Sequence, residues 1–178
     1  VENMGFSVTI TSSIILIVLF TLSTSFMVAI FQNLKEMSAI AEQYVNQERE
    51  KLDVALRLEI ESLNATSCDF TVKNLGSRTI FFKDHAGFKW NTVIFSYGNS
   101  TFWTTYQIED YTILEVKVSG TSYTFAPESH PYIEAGEEAR ILFKLPEGAP
   151  EIPLGGLASV VFVTYYGVTA KAEAVRTP

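Results

Sequence analysis

The side chains here whose types suit metal binding or acid–base catalysis are His85, His130, Cys68 and three acidic pairs, Glu59 with Glu61, Glu109 with Asp110, and Glu137 with Glu138. A transition-metal site is normally announced by ligands at short, fixed spacings. Neither histidine stands at such a spacing from the other or from Cys68, so both are expected in solvated loops. The acidic pairs would suit calcium or a carboxylate dyad, yet neither an EF-hand nor a G-x-S-x-G pattern accompanies them. They are read as solvated turns and sheet edges, where charge guards against edge-to-edge pairing. No catalytic residue, metal ligand or cofactor-binding residue is assigned, and no cofactor is expected. An anchored enzyme or small-ligand binding module would require a deep polar pocket near His130 or Trp103.

A second set of residues suggests packing rather than reaction. From Asn3 to Leu34 the chain has no charged side chain, and the stretch Val8 to Gln32 is mostly apolar. A helix rises about 1.5 Å per residue and needs roughly 20 apolar residues to cross a hydrocarbon core, so this segment is long enough. Glu2 is the only charge before it, and no small-residue cleavage motif follows, so it does not read as a secretory signal. Thr9, Thr11, Ser12, Ser13, Thr21, Ser23, Thr24 and Ser25 interrupt the run. In a helix such hydroxyls bond the carbonyl one turn back and so cost little in lipid. Every fourth residue, Ser13, Ile17, Thr21, Ser25 and Ala29, forms a stripe that is small except at Ile17. Small stripes let helix backbones approach closely, which points to helix against helix; the other reading is a single membrane anchor whose hydroxyls align by chance.

The elements that carry these residues follow from periodicity. Lys35 to Glu50 lacks Gly and Pro, and Met37, Ile40, Ala41, Tyr44 and Val45 recur at helical spacing, so the helix continues as an amphipathic extension. Near Leu52 the period changes to two. Strand-like runs then follow at Leu52 to Leu63, Asp69 to Lys73, Arg78 to Phe82, Thr92 to Tyr97, Thr101 to Ile108, Thr112 to Val118, Glu138 to Leu145, Ala158 to Tyr165 and Val168 to Val175. Gly-bearing turns separate several of them, and no helical pattern intervenes. The expected fold is α+β: residues 1–50 as a hydrophobic then amphipathic helix, and 51–178 as an antiparallel, immunoglobulin-like β-sandwich head. The proline- and glycine-rich stretches Ala126 to Pro131 and Leu145 to Gly156 are expected as loops at one end of that sandwich.

Composition excludes some partners. The formal charge is −7, with no cluster of Lys and Arg, so nucleic acid is not expected. The lone Cys68 has no internal partner; it alternates in phase with Phe70 and Val72 and reads as a small buried hydrophobe. Trp90, Trp103, Tyr106 and Tyr111 suit core packing or head-to-head contact better than carbohydrate stacking. Asn64-Ala65-Thr66 and Asn99-Ser100-Thr101 match the glycosylation acceptor pattern at turn positions, making Asn64 and Asn99 candidates if the head is extracellular.

The sequence resembles the archaeal archaellin and archaellum-stator superfamily, relatives of type IV pilins. The segment Met4 to Val18 is similar to the start of F-type stator proteins, and Asp69 to Ile80, Ile133 to Pro146 and Tyr166 to Ala170 are similar to strand and turn patterns of their heads. The resemblance implies a non-enzymatic protein of the archaeal surface in one of two roles. As a filament subunit it would be a helical homopolymer, membrane-held before assembly and dependent on archaellum or pilus assembly machinery, with helices in the core and heads outside. As a stator it would stay in the cytoplasmic membrane and offer its head to surface-layer protein. A chain beginning at Val1 fits removal of a class III prepilin-type leader, which favours the filament, while Met4 would open an unprocessed stator.

Overall fold

The computed structural model describes residues 3–85 and 88–177, with side chains from residue 9 onward. Two compact units result, Val1–Glu48 and Arg49–Pro178. Helix α1 spans Asn3–Leu52. Beyond Gly5 it contains no Gly or Pro to interrupt it. Arg49 and Lys51 occupy its last turn, where cations favour the negative end of the helix dipole. The sequence expectation began the first strand at Leu52; instead Leu52 closes the helix, and the chain turns at Asp53 before Val54 enters the core, only 5% exposed.

Among the described residues, thirteen strands follow in chain order. They are β1 (Leu56–Leu63), β2 (Ser67–Asn74), β3 (Ile80–Phe81), β4 (Asp84–His85), β5 (Phe88–Lys89), β6 (Thr92–Gly98), β7 (Trp103–Ile108), β8 (Tyr111–Val118), β9 (Thr124–Phe125), β10 (Tyr132–Ile133), β11 (Glu137–Lys144), β12 (Leu157–Val163) and β13 (Thr169–Val175). One sheet runs β1-β2-β11-β8-β9 and the other β13-β12-β6-β7, with β10-β3 and β4-β5 as two-stranded ribbons. Adjacent pairs are antiparallel throughout. This is the α+β arrangement expected, a long helix followed by an antiparallel β head.

Alternation sets which side chains meet. On β2, Cys68, Phe70 and Val72 are fully buried, as their shared phase required. Burial, reinforced by the Asp69 charge, pushes the Cys68 thiol up to about 12, so it is an inert core residue rather than a nucleophile. A bulge between Ile60 and Ser62 on β1 adds one residue. It shifts the inward phase from Leu56, Leu58 and Ile60 to Leu63, which pairs with Cys68. The two sheets meet through aromatic rings: Phe143 lies edge-on to Phe70 at 6.0 Å and to Phe95 at 5.0 Å, and Phe95 stacks on Tyr97 at 5.3 Å. The Tyr97 hydroxyl donates to the Pro150 carbonyl at 2.5 Å, so its buried polar end is satisfied.

The turn after β2 is fixed by backbone proximity. Asn74 Oδ1 accepts from Gly76 N at 3.0 Å, and Gly76 N also donates to Ala55 O at 3.0 Å. A Cβ on Gly76 would stand 2.3 Å from Asp53 O and 2.5 Å from Ala55 N, both backbone atoms that have no rotamer to yield. Gly76→Ala is therefore expected to destabilise the head by about 2 kcal/mol, read as a lower midpoint in urea unfolding; an unchanged midpoint would contradict the close approach.

Two expectations change. The loops at 126–131 and 145–156 lie at opposite ends of β11, not at one end, because β11 itself lies between them in the chain. The first sits beside β3, where Phe82 N donates to Pro131 O at 2.8 Å, and the second beside the start of β2, where Leu145 N donates to Thr66 O at 2.8 Å. The strand expected over Arg78 to Phe82 shrinks to the two residues of β3, paired with β10.

Candidate functional site

The helix and the head offer different surfaces. Along α1, every described side chain from Thr9 to Gln47 is exposed, among them Ile17 at 61%, Phe20 at 69%, Phe26 at 69% and Phe31 at 64%. By length and composition this helix could cross a membrane. Its hydroxyls are satisfied internally: Ser13 Oγ donates to Thr9 O at 2.8 Å, Thr21 Oγ1 to Ile17 O at 3.0 Å, and Ser25 Oγ to Thr21 O at 2.8 Å. Thr24 Oγ1 likewise reaches Phe20 O at 2.9 Å. Ser13, Ile17, Thr21, Ser25 and Ala29 therefore form a row at a spacing of four that winds about 40° per step around the helix, and three of them present no unsatisfied hydroxyl to an apolar neighbour.

On the head, the residues that invited chemical readings disperse. His85 is exposed on β4. His130 is not the solvated loop residue expected: its side chain is 15% exposed, held between the rings of Phe125 at 4.5 Å and Tyr132 at 3.9 Å. Its Nε2 lies 3.0 Å from Glu137 Oε2, and that same oxygen accepts from Glu134 N at 2.8 Å. The ring stacking comes from residues on either side of Pro131, a spacing that matches no metal-ligand or catalytic motif. Among the described residues, no three of His, Cys, Asp and Glu gather as a metal site would require. A 740 Å³ open groove lies at the turn from β7 to β8, where Tyr106, Glu109, Asp110 and Tyr111 face Leu142 to Pro146.

Glu137 and Glu138 are also not the solvated pair expected, being 8% exposed and, in side chain, 15% exposed respectively. Glu138 accepts from Ser119 Oγ at 2.7 Å and pairs with Lys117 at 3.0 Å and Lys73 at 4.0 Å. Burial alone would raise its carboxyl, but the Ser119 and Lys117 hydrogen bonds and the charges of Lys117 and Lys73 outweigh it and hold it below the ordinary value. A folded-state pKa below the unfolded one gives stability that is full above the unfolded pKa and is lost as pH falls through the folded one. Glu138→Gln is accordingly expected to be less stable than wild type at neutral pH and equal to it in strong acid. Urea melts across that range check this, and a difference that persists unchanged into acid would contradict it.

Asn64 and Asn99 are both exposed, the first between β1 and β2 and the second between β6 and β7. Asn64 Nδ2 lies 3.3 Å from Ser67 Oγ, and Asn99 Oδ1 accepts from Thr101 N at 2.8 Å and Phe102 N at 3.2 Å. Of the aromatic residues singled out, Tyr111 is core at 4% exposed, while Trp90 at 44% and Trp103 at 53% reach the surface.

A long apolar N-terminal helix carrying an antiparallel β head defines the structural class. No family model and no curated protein matches the chain. Among solved structures, the archaeal flagellum of Methanospirillum hungatei strain JF1 has this fold, with a TM-score of 0.58 over 94% of this chain and 93% of that one at 12% identity. The archaellum periplasmic stator protein FlaG from Sulfolobus acidocaldarius matches 68% of this chain with a TM-score of 0.44 at 11% identity. The complex of FlaF and FlaG from the same organism gives 0.41 over 66% at 14% identity. The archaellum resemblance read from the sequence is thus matched at the level of fold.

Proposed function

We propose that this chain is the structural subunit of an archaeal surface filament of archaellum or type IV pilus-like kind, with helices bundled in the core and β heads outside. The observation that carries the reading is the extent of the fold likeness to the M. hungatei flagellum, which takes in nearly the whole of both chains, helix included. The exposed apolar helix supports it physically. Its side chains need either lipid or other helices, at about 25 cal/mol for each Å² of apolar surface removed from water. In this reading the helix rests in the membrane before assembly, and Ser13, Ile17, Thr21, Ser25 and Ala29 form the face that meets neighbouring helices in the filament. Assembly machinery of the archaellum or pilus type would transfer the subunit from lipid to filament. Surface-layer protein would be the head's partner only if the chain were a stator instead. With the head outside the cell, the exposed Asn64 and Asn99 become glycosylation acceptors.

Fractionation tests this. Filaments sheared from intact cells and imaged by negative stain should contain the chain as a major component when analysed by mass spectrometry. Recovery only from the membrane fraction, with none in sheared filaments, would overturn the filament reading in favour of a membrane-held stator.

A further inference from the structure

The two outer faces of the head differ sharply in charge. On the five-stranded sheet, Arg57 pairs with Glu59 at 2.8 Å, Arg140 with Asp69 at 2.5 Å, and Glu138 with Lys117 at 3.0 Å. On the four-stranded sheet, the register puts only Leu, Ser, Val, Thr, Ile, Gly, Trp and Gln at the outward positions of β12, β6 and β7. The charges among the described residues of that face, Lys171 and Glu173 on β13, pair with each other at 2.6 Å. One cross-strand row runs Val175, Leu157, Gly98, Trp103. Val175 is 52%, Leu157 38% and Trp103 53% exposed, and Gly98 places no side chain between the last two. In the next row, Ser96 and Thr105 hydroxyls bond each other at 2.8 Å, which lowers the cost of drying them. The free edge β7 carries neither a Lys nor a Pro of the kind that normally blunts such an edge.

We propose that the outer face of β6, β7 and β12 is where the head packs against the head of a second copy of this chain. Depletion of charge with an aromatic residue retained is the composition of a protein interface centre, not of a solvated sheet face. Charge also indicates the occupant. The chain carries −7, so copies approaching through their acidic surfaces repel. An uncharged face is where like copies meet without that penalty, and it offers nothing for a strongly charged partner to complement. The inference deepens the filament reading, since a filament is what would hold heads side by side.

The test uses the full-length chain with Thr105→Cys on this face and, separately, Arg57→Cys on the charged face, the native Cys68 being buried and silent to thiol reagents. Maleimide labelling is timed in assembled material and in chain dispersed in detergent. Assembly is expected to slow labelling at Thr105→Cys about ten-fold and to leave Arg57→Cys within about two-fold. Filaments in which Thr105→Cys labels as fast as in the dispersed chain would overturn the face while leaving the filament intact. Oligomers that protect Thr105→Cys without forming filaments would support the face and count against the filament. Failure to associate at any concentration would sink both. Protection already present in the dispersed chain, and relieved by Asn99→Gln, would assign the face to a glycan instead.

Discussion

Replacing Thr21 and Ser25 together by leucine is expected to abolish filaments while leaving the chain in the membrane. Both hydroxyls are already bonded within the helix, to Ile17 O and Thr21 O, so leucine removes no interhelical partner. What it adds is bulk at two small positions of the stripe proposed to let neighbouring helices approach. Leucine is also favoured at a helix centre in lipid, by about 0.3 to 0.6 kcal/mol per residue on insertion scales, so membrane residence should be undiminished. The two roles therefore separate in one experiment: a subunit loses assembly, counted as filaments per cell, and a solitary anchor loses nothing. Filaments at wild-type number in the double variant would show that this stripe is not the packing face.

The second large effect belongs to the head. Phe95 is fully buried on β6, 5.0 Å from Phe143 of the facing sheet and 5.3 Å from Tyr97 on its own strand, so it joins the two layers. Phe95→Ala deletes a ring where neighbours from both sheets are fixed by strand pairing and have little freedom to collapse into the space. The expected cost is about 3 to 5 kcal/mol. Against a total of roughly 5 to 15 kcal/mol for an ordinary domain, that is enough to lower the melting temperature of the head by about 10 °C or more. Thermal melts followed in the β region of the circular dichroism spectrum check it; a shift of only a degree or two would mean that the aromatic contacts do not bridge the sheets.

The long elements were legible because their periods are. The uncharged stretch from Asn3 to Leu34, and runs such as Glu138 to Leu145 or Ala158 to Tyr165, carry a clear signal of helix or alternating strand. Boundaries were less so. The alternation at Leu52 and Val54 continues smoothly into β1, yet Leu52 belongs to the helix, since nothing in a period-two pattern marks where a preceding helix releases the chain. The two-residue strands β3, β4, β5, β9 and β10 are too short to hold any period at all. The environment of His130 was hidden for another reason: Phe125, Tyr132 and Glu137 are near it in sequence, but only the turn at 127–129 and the start of β11 bring them to it in space. Likewise, Glu137 and Glu138 look like a solvated acidic pair in sequence, while alternation on β11 sends one to His130 and the other to Ser119 and Lys117. The charge difference between the outer faces was spelled in the residues of β6, β7 and β12, but reading it required knowing that those strands are neighbours.

In the filament proposed here, this helix packs against copies of itself. The most direct measurement is a cryo electron microscopy reconstruction of filaments sheared from cells, at a resolution that resolves side chains. The expected reconstruction has this chain as the repeating unit, with Ser13, Ile17, Thr21, Ser25 and Ala29 turned toward neighbouring helices in the core and the β heads outside. A filament built from a different protein, with this chain confined to the membrane, would contradict it.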